Sequence, residues 1–188
     1  GSAEENDLSD ANFTINTTPT SADEGITTNE DTAVRTGFSS SDGDGDALTY
    51  SVVTQPSNGS VTIDNSNNEP GLYTPTANWN GTDTFTYKAN DGTVDSNTAT
   101  VTVTVAAVND VPVTAAVSAS TNEDTAKTIT LSATDVEGSS LTYSIVSNPS
   151  NGSLGSVSGT SVVYTPTANW NGTDTFTYKR NDGTADGN

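Results

Sequence analysis

The sequence predicts an all-β protein made of two tandem Greek-key β-sandwiches. Residues 73–88, YTPTANWNGTDTFTYK, recur without a change at residues 164–179, an offset of 91 positions. Upstream, the run NEDTA at residues 29–33 recurs at residues 122–126, an offset of 93. Repetition at a fixed period indicates repeated structural units. Within each unit, short runs of alternating apolar and polar residues indicate strands, and no stretch has helical periodicity.

The two copies join at the run VNDVP, residues 108–112. An offset of 93 carries this join back to residues 15–19, so we expect repeat 1 over residues 16–108 and repeat 2 over residues 109–188. Residues 1–15 are predicted to be an acidic tail, in which residues 13–15 alternate and could form one short strand. Each repeat then has the length of a small single domain.

The strands of repeat 1 follow from period-two alternation and turn residues. Residues 48–52 alternate Leu, Tyr and Val with Thr and Ser, and Asn58-Gly59 predicts a hairpin because both residues tolerate positive φ. Phe85 and Tyr87 share one face of the next clear strand, and residues 98–105 alternate strictly between Thr and Ala or Val. About seven short strands with turns between them are typical of a sandwich of immunoglobulin type.

Repeat 2 follows the same order but stops earlier. Asn188 matches Asn97, so the sequence holds no counterpart of residues 98–105. The difference between the two offsets also places a deletion between Gly152 and Tyr164, where a loop or hairpin is shorter. A sandwich without its last strand has an unpaired edge and an exposed part of its core.

Composition excludes several kinds of chemistry. The chain has no Cys and no His, which removes disulfides, thiol and zinc-thiolate chemistry and the usual general base. Its 24 acidic and 5 basic residues give a formal charge of −19, which disfavours nucleic acid and anionic membranes as partners. No apolar run approaches the length of a membrane span, about 18 residues. The acidity suits either bound cations or the solubility of an extracellular protein, and composition alone leaves both open.

Acidic residues gather where strand direction places the ends of the repeats. If successive strands alternate in direction, Glu30 and Asp83 lie at the lower end of repeat 1, beside the exit to Asn109 and Asp110. Calcium binds six to eight hard oxygen ligands, and no soft ligand is present here. The upper end of repeat 2 would carry three further carboxylates, those of Asp135, Glu137 and Asp182.

Three motifs resemble a known family. Residues 134–145, TDVEGSSLTYSI, look like the cadherin D-x-D-x-G element that runs into a strand, and VNDVP resembles the cadherin interdomain linker. The NEDT run together with N-G-T-D-x-F-x-Y is similar to the bacterial cadherin-like tandem repeats of very large secreted adhesins, including RTX-type ones. The resemblance implies interdomain calcium bound by the acids named above, with Glu30 as the A-strand-end glutamate and Asp83 as the E–F acid. It also implies a passive, rod-like role.

A second cluster lies at the head of repeat 1. Asp42, Asp44, Asp46 and Asp91 are its candidate calcium ligands, but Asn16-Thr17 stands where the linker pattern has Asn-Asp, so one ligand is lost. The DGDGD run is not an EF-hand loop, because its twelfth position is Val and no helix flanks it. A solvated turn is the simpler alternative for this loop.

Three functions are compatible with these features. The first is a calcium-rigidified extender of a bacterial cell-surface adhesin, outside the cell. The second is an extracellular filament in which residues 12–15 of one copy complete repeat 2 of its neighbour by donor-strand complementation. The third is carbohydrate or protein binding through Trp79 and Trp170, although a Trp beside Asn-Gly in a sandwich is more often a core plug. Catalysis is not expected, because the acids belong to repeated domain-end loops with no cleft implied.

Overall fold

The protein is built from β-strands in two compact units. The computed structural model describes residues 15–65 and 69–187. The predicted all-β class is confirmed, and the chain divides into units between Val108 and Asn109. The predicted acidic tail and the strand at residues 13–15 lie outside the described residues, apart from Ile15, which is exposed. Within the described residues no helix is long and apolar enough to cross a membrane.

The described residues of unit 1 form nine strands. They form a four-stranded sheet in the order β2-β9-β8-β5, a three-stranded sheet β3-β7-β6 and a short pair β1-β4. All neighbours are antiparallel except β2 and β9, which are parallel. The strands are β1 Thr20–Ser21, β2 Glu24–Asn29, β3 Val34–Thr36, β4 Ser40–Ser41, β5 Thr49–Thr54, β6 Gly59–Asp64, β7 Glu69–Pro75, β8 Gly81–Asn90 and β9 Ala99–Ala106.

The core of unit 1 lies between its two larger sheets. Every second residue of β9 points into it, and Val101 and Val103 are fully buried. Aromatic rings fill the remaining space, with Phe38 stacked on Tyr87 at a centroid distance of 4.4 Å and Phe85 only 1% exposed. Burial of one such side chain stabilises a fold by roughly 1.5–3 kcal/mol. The strict alternation in the sequence of β9 therefore corresponds to one face in the core and one face outside.

The described residues of unit 2 form eight strands in smaller sheets. Their order is β11-β15-β14 in one sheet, β13-β16-β17 in the second and a short pair β10-β12. The hairpin that spans Gly152–Pro166 corresponds to Gly59–Pro75 of unit 1 and is two residues shorter. The strands are β10 Val113–Thr114, β11 Lys127–Thr130, β12 Ala133–Thr134, β13 Thr142–Ser147, β14 Gly152–Leu154, β15 Ser161–Pro166, β16 Thr177–Asn181 and β17 Asp186–Gly187.

The two units differ around the place of β9. Among the described residues of unit 2 no strand corresponds to β9, and residues 117–122, which match β2, form no strand either. In unit 1 β2 pairs only with β9, so the segment that matches β2 has no corresponding partner strand among the described residues of unit 2. Leu131 and Val162 are buried in unit 2, whereas Phe176, which matches the buried Phe85, is partly exposed.

Candidate metal sites

The loop between β4 and β5 brings three carboxylates together. One oxygen from each of Asp42, Asp44 and Asp46 lies within 4.8 Å of the others. The loop turns around Asp42, whose Oδ1 accepts hydrogen bonds from the backbone N–H of Asp44 at 2.9 Å and of Asp46 at 3.1 Å. Gly45 has a φ of +80°, which glycine adopts without strain. Alternating Asp and Gly is thus what allows three acids to converge on one point.

One oxygen of this cluster has no donor among the described residues. Asp42 Oδ2 is buried and accepts no hydrogen bond from them, and the same is true of Asp135 Oδ2, the matching atom of repeat 2. A buried acceptor without a partner costs stability, and the cost is greater for a charged group. A hard cation bound at this point would satisfy the oxygen, so both loops fit a divalent ion such as calcium.

The first residues of repeat 1 contact the same cluster. The Asn16 side-chain amide donates to Asp91 Oδ2 at 2.9 Å. Thr17 donates to Asp44 Oδ2 from its backbone N–H at 2.6 Å and from its hydroxyl at 3.1 Å. A cleft of about 420 Å³ is lined by residues from both segments, Ile15, Asn16, Asp44 and Asp46. The head of repeat 1 and the acidic loop therefore form one oxygen-rich site.

Asp91 is held in its ionised form. Its Oδ1 accepts the backbone N–H groups of Val94 and Thr93, both at 2.7 Å. The hydrogen bond from Val94, followed by that from Asn16, lowers the pKa of Asp91 below its usual value. A carboxylate that is charged at neutral pH is ready to bind a cation without releasing a proton.

Repeat 2 builds the same plan from its own residues. Asn109 takes the place of Asn16 and donates its side-chain amide to Asp182 Oδ2 at 2.8 Å. The backbone N–H of Asp110 donates to Glu137 Oε1 at 3.2 Å. Hydrogen bonds, first from Ala185 and next from Asn109, lower the pKa of Asp182. Repeat 2 therefore has the Asp110 carboxylate where repeat 1 has Thr17.

The second site is less convergent than the first. Asp135 Oδ1 accepts the backbone N–H of Ser139 at 2.8 Å, and Ser139 stands where repeat 1 has Asp46. Among the described residues, only the cluster of repeat 1 brings three carboxylates within 4.8 Å. Glu137 and Asp182 belong to the same end of unit 2 through their contacts with the linker residues. Compared with repeat 1, repeat 2 has one carboxylate fewer in the loop, where Ser139 replaces Asp46. It has one more in the linker, where Asp110 replaces Thr17.

Glu30 lies at the opposite end of unit 1, beside the last residue of that unit. It is 4% exposed, its backbone N–H donates to the carbonyl of Ala106 at 2.9 Å, and its Oε1 accepts the backbone N–H of Val108 at 2.6 Å. The carboxylate is therefore held at the point where the chain leaves repeat 1.

Asp83 has a different environment from the other predicted ligands. It is 4% exposed, and its two oxygens accept four hydrogen bonds. These come from the backbone N–H groups of Ser57, Asn58 and Thr84 and from the Tyr73 hydroxyl, at 2.8–3.1 Å. This pattern fastens the hairpin at Asn58-Gly59 to the sandwich.

Asp174 repeats that arrangement in unit 2. It accepts hydrogen bonds from the N–H groups of Ser150, Asn151 and Thr175 and from the Tyr164 hydroxyl. The sequence analysis missed this role of the pair Asp83 and Asp174. The signal that could have shown it is the Asn-Gly turn about 25 residues upstream of the acid in both repeats.

The two tryptophans pack beside their own turns. Trp79 is partly buried against the core of unit 1, and a Cβ on Gly81 would come within 3.0 Å of the Trp79 ring. Trp170 and Gly172 repeat the contact at the same 3.0 Å. This packing is what a core plug requires.

Comparison with known proteins agrees with this fold. A family model described as "Bacterial Ig domain" matches residues 16–104 and 109–188. The first two domains of human protocadherin-24 superpose with a TM-score of 0.57 at 18% identity, covering 89% of this chain and 88% of that one. No protein of curated function matches.

Part of a larger protein also aligns with the chain. An endo-fucoidan hydrolase of glycoside hydrolase family 107 is 24% identical, with a TM-score of 0.39, over 94% of this chain. The chain spans only 28% of the length of that enzyme. The predicted resemblance to bacterial immunoglobulin-like and cadherin-like repeats is confirmed. With two tandem copies that together account for most of its residues, the chain belongs to the bacterial Ig domain family.

Proposed function

We propose that the two repeats are calcium-stiffened structural segments of a bacterial surface protein. Bacterial Ig-like and cadherin-like domains suggest structural or adhesion-type repeats and are typically extracellular or surface-exposed. The observation that carries the calcium part is the pair of matching orphan atoms, Asp42 Oδ2 and Asp135 Oδ2. In two loops of different sequence, the equivalent buried carboxylate oxygen accepts no hydrogen bond from the described residues. A bound cation would satisfy such an oxygen.

The chemistry of the donors selects a hard divalent ion. The chain has no Cys and no His, so carboxylates, amide oxygens and backbone carbonyls are the only strong ligands available. Its formal charge of −19 also means that bound cations relieve repulsion within the folded chain. Calcium accepts this mixture of oxygen ligands in flexible geometry, whereas magnesium requires near-ideal octahedral geometry.

Each proposed site draws on one end of a repeat. At the head of repeat 1 the ligands are Asp42, Asp44, Asp46 and Asp91, and the linker Asn16 supports the last of these. At the head of repeat 2 they are Asn109, Asp110, Asp135, Glu137 and Asp182. Glu30 remains a candidate ligand at the end of repeat 1, where its carboxylate accepts the N–H of Val108. Asp83 is left out, since its oxygens already accept four hydrogen bonds.

The linker would become stiff because the residues before and after the bond between Val108 and Asn109 are each fastened to their own repeat. Glu30 is fastened to Val108, while Asn109 and Asp110 contact Asp182 and Glu137. An ion bound by Asn109 and Asp110 together with the carboxylates of repeat 2 would restrict the backbone dihedrals of these two linker residues. A stiffer linker would help to keep a distal segment away from the cell surface.

A calcium titration of the intact chain tests the proposal. The melting temperature should rise when calcium is added and return to its starting value with chelator. For one site, calcium at 100 times its Kd stabilises the folded state by about 2.7 kcal/mol. Small-angle scattering over the same titration should show a narrower distribution of maximum dimensions. The variant Asp135→Asn should weaken the response, whereas Glu123→Gln, an exposed acid at the other end of repeat 2, should leave it unchanged.

Two results would contradict it. Identical melting curves with millimolar calcium and with chelator would remove the calcium sites altogether. A thermal shift without any change in scattering would keep calcium as a ligand and reject the stiffening of the linker. Magnesium at the same concentration serves as the control for non-specific screening of charge.

A further inference from the structure

Two consecutive strands of unit 1, β5 and β6, each lie at the edge of a sheet. β5 is the last strand of the four-stranded sheet, and β6 is the last strand of the three-stranded sheet. An edge strand presents backbone N–H and C=O groups to which a strand of another chain can pair. In a chain made of repeats, strands of similar sequence are always close by, and misassembly between repeats is a characteristic failure.

A side chain pairs with the open edge of β5. Tyr50 lies opposite Ala89 of β8, but both backbone groups of Ala89 bond to Ser96, on the side of β9. The backbone groups of Tyr50 therefore point away from β8 and towards the open edge. There the Tyr50 N–H donates to Asn65 Oδ1 at 2.9 Å, and the Asn65 side-chain amide donates to the Tyr50 carbonyl at 3.2 Å.

The open edge of β6 is paired in the same way. The Thr76 N–H donates to the Asn58 carbonyl at 2.9 Å, so alternate residues from Asn58 onward bond to β7, and Val61 lies between two of them. The Val61 N–H donates to Gln55 Oε1 at 3.1 Å, and the Gln55 side-chain amide donates to the Val61 carbonyl at 3.3 Å. Both outward groups of Val61 are thus satisfied by one side chain.

Each of these two amides does what a residue of a neighbouring strand would do. In an antiparallel sheet, two hydrogen-bonded residues exchange both N–H···O bonds. A carboxamide has one carbonyl and one NH2 group, so it can supply the same two bonds. Asn65 lies 15 residues after Tyr50, whereas Gln55 lies 6 residues before Val61. Two different chain segments therefore produce the same local arrangement.

A β-bulge lies close to each of these pairings. The register shifts between Val52 and Thr54 in β5, and between Thr62 and Asp64 in β6. Strand addition needs successive outward groups two residues apart along the edge. A paired residue next to a bulge leaves neither strand with two successive outward residues that are regular and unpaired.

Neither pairing is repeated among the described residues of unit 2. Asn148, one methylene shorter, stands where repeat 1 has Gln55, and it is exposed and makes no hydrogen bond with Leu154, the match of Val61. The hairpin that carries Asn65 in unit 1 is two residues shorter in unit 2. No described side chain pairs with both backbone groups of Tyr143, the match of Tyr50. The two amides are thus specific to unit 1, and unit 2 supplies an internal comparison.

We propose that Gln55 and Asn65 close the edge of unit 1 formed by β5 and β6 against strand addition by a second copy of the chain. An incoming strand must displace a side chain that is tethered to the same fold and therefore acts at a high effective concentration. The edge stays unreactive towards the strands of similar repeats. No cation takes part in this role, so it is independent of the proposed calcium sites.

Amide hydrogen exchange of the intact chain in chelator tests the pairing itself. Gln55→Asn gives repeat 1 the residue that repeat 2 has, so the fold tolerates it. This variant should speed exchange of the Val61 N–H by at least about tenfold and leave the Tyr50 N–H unchanged. Asn65→Ala should have the opposite pattern. Asn148→Ala, the matched control in repeat 2, should change neither amide.

Sedimentation equilibrium of the double variant Gln55→Asn/Asn65→Ala tests whether the edge has been opened. At high salt, which screens the negative charge of the chain, we expect reversible dimers with an association constant at least about tenfold above that of the wild type. Exchange of the backbone amides of β5 and β6 should slow in the dimer. Melting curves in the same buffer identify any association of unfolded chains, and the single variants serve as the test if the double variant does not fold.

Three outcomes would overturn the proposal. One is unchanged exchange of the Tyr50 and Val61 amides in the two single variants. Another is a folded double variant that stays as monomeric as the wild type. The third is a dimer in which the protected amides lie outside β5 and β6, because another surface would then drive the association.

Discussion

The carboxylate of Glu30 accepts a hydrogen bond of 2.6 Å from the backbone N–H of Val108, 78 residues further along the chain. The contact joins the turn after β2 to the second residue after β9, so it holds the ends of these two parallel strands together. Glu123, the matching residue of repeat 2, is exposed. Glu30 is therefore buried where β2 and β9 end, whereas Glu123, the same residue of the repeated NEDTA run, is exposed to solvent.

The variant Glu30→Gln should destabilise unit 1 by about 1–2 kcal/mol, because a buried hydrogen bond to a charged acceptor is replaced by one to a neutral amide. Urea unfolding in chelator measures the effect without any contribution from calcium. In a Trp170→Phe background, Trp79 reports unit 1 alone. Glu123→Gln, followed through Trp170 in the Trp79→Phe background, is the matched control and should stay within about 0.5 kcal/mol. Equal losses in the two units would show that the contact with Val108 contributes nothing.

The two copies of one phenylalanine should differ in what they contribute. Phe85→Leu should cost unit 1 about 1–2 kcal/mol, because it leaves space in a fully packed core. Phe176→Leu should cost unit 2 clearly less, since that ring is already partly exposed. Urea midpoints read from the tryptophan of each unit compare the two directly. A larger loss in unit 2 would contradict the burial that the structure shows.

Gly59→Ala should destabilise the hairpin of unit 1. A Cβ at this position would lie 2.7 Å from the carbonyl oxygen of Thr74 and 2.8 Å from the Tyr73 ring, and neither can move freely. Overpacking of this kind costs about 1–3 kcal/mol. Gly25→Ala in β2 is the control, because a Cβ there meets nothing within 4 Å. That change should be neutral or stabilise by roughly 0.4–1 kcal/mol, since alanine restricts the unfolded chain.

Asp174 should make the stability of unit 2 depend on pH below 4. Partial burial opposes ionisation, but hydrogen bonds from Asn151, Ser150 and Thr175 outweigh it and lower the pKa of Asp174 from 3.8. A depressed folded-state pKa means that the stabilisation is complete above pH 3.8 and is lost as pH falls through the lower folded value.

Asp174→Asn therefore should reduce the stability of unit 2 at pH 7 and have progressively less effect as the pH falls and the wild-type carboxylate becomes protonated. Urea unfolding of the Trp79→Phe protein from pH 7 to pH 2, with and without Asp174→Asn, follows the difference through Trp170. A constant difference across that range would show that the charge of Asp174 has no part in fastening the hairpin.

The candidate sites were accessible from sequence to different degrees. Asp42, Asp44 and Asp46 are close in the chain, and glycines between them dictate a tight loop, so local sequence was enough to place them together. The contact of Asn16 with Asp91 spans 75 residues, so local sequence alone does not bring these two residues together. The orphan oxygens of Asp42 and Asp135 could not be foreseen, because burial of one oxygen depends on everything packed around it.

Asp83 shows the limit of reasoning from position along a strand. Counting strands placed it at the lower end of repeat 1, but a residue in β8 has two faces, and only the folded hairpin shows what occupies the inner one. There the N–H groups of Ser57 and Asn58 and the Tyr73 hydroxyl meet the carboxylate. Three separate segments supply these donors, so no local pattern contains the information.

By itself the sequence determined the repeat period, the alternation that makes β9 a strand with one buried face, and the restriction to oxygen ligands. Each of these is local or compositional, which is why it can be read without coordinates. Only the tertiary structure decided how identical segments behave, since residues 81–85 form a strand and residues 172–176 do not. The physical reason is that a strand is completed by hydrogen bonds and side-chain burial from a neighbouring strand, and that neighbour is absent from the described residues of unit 2.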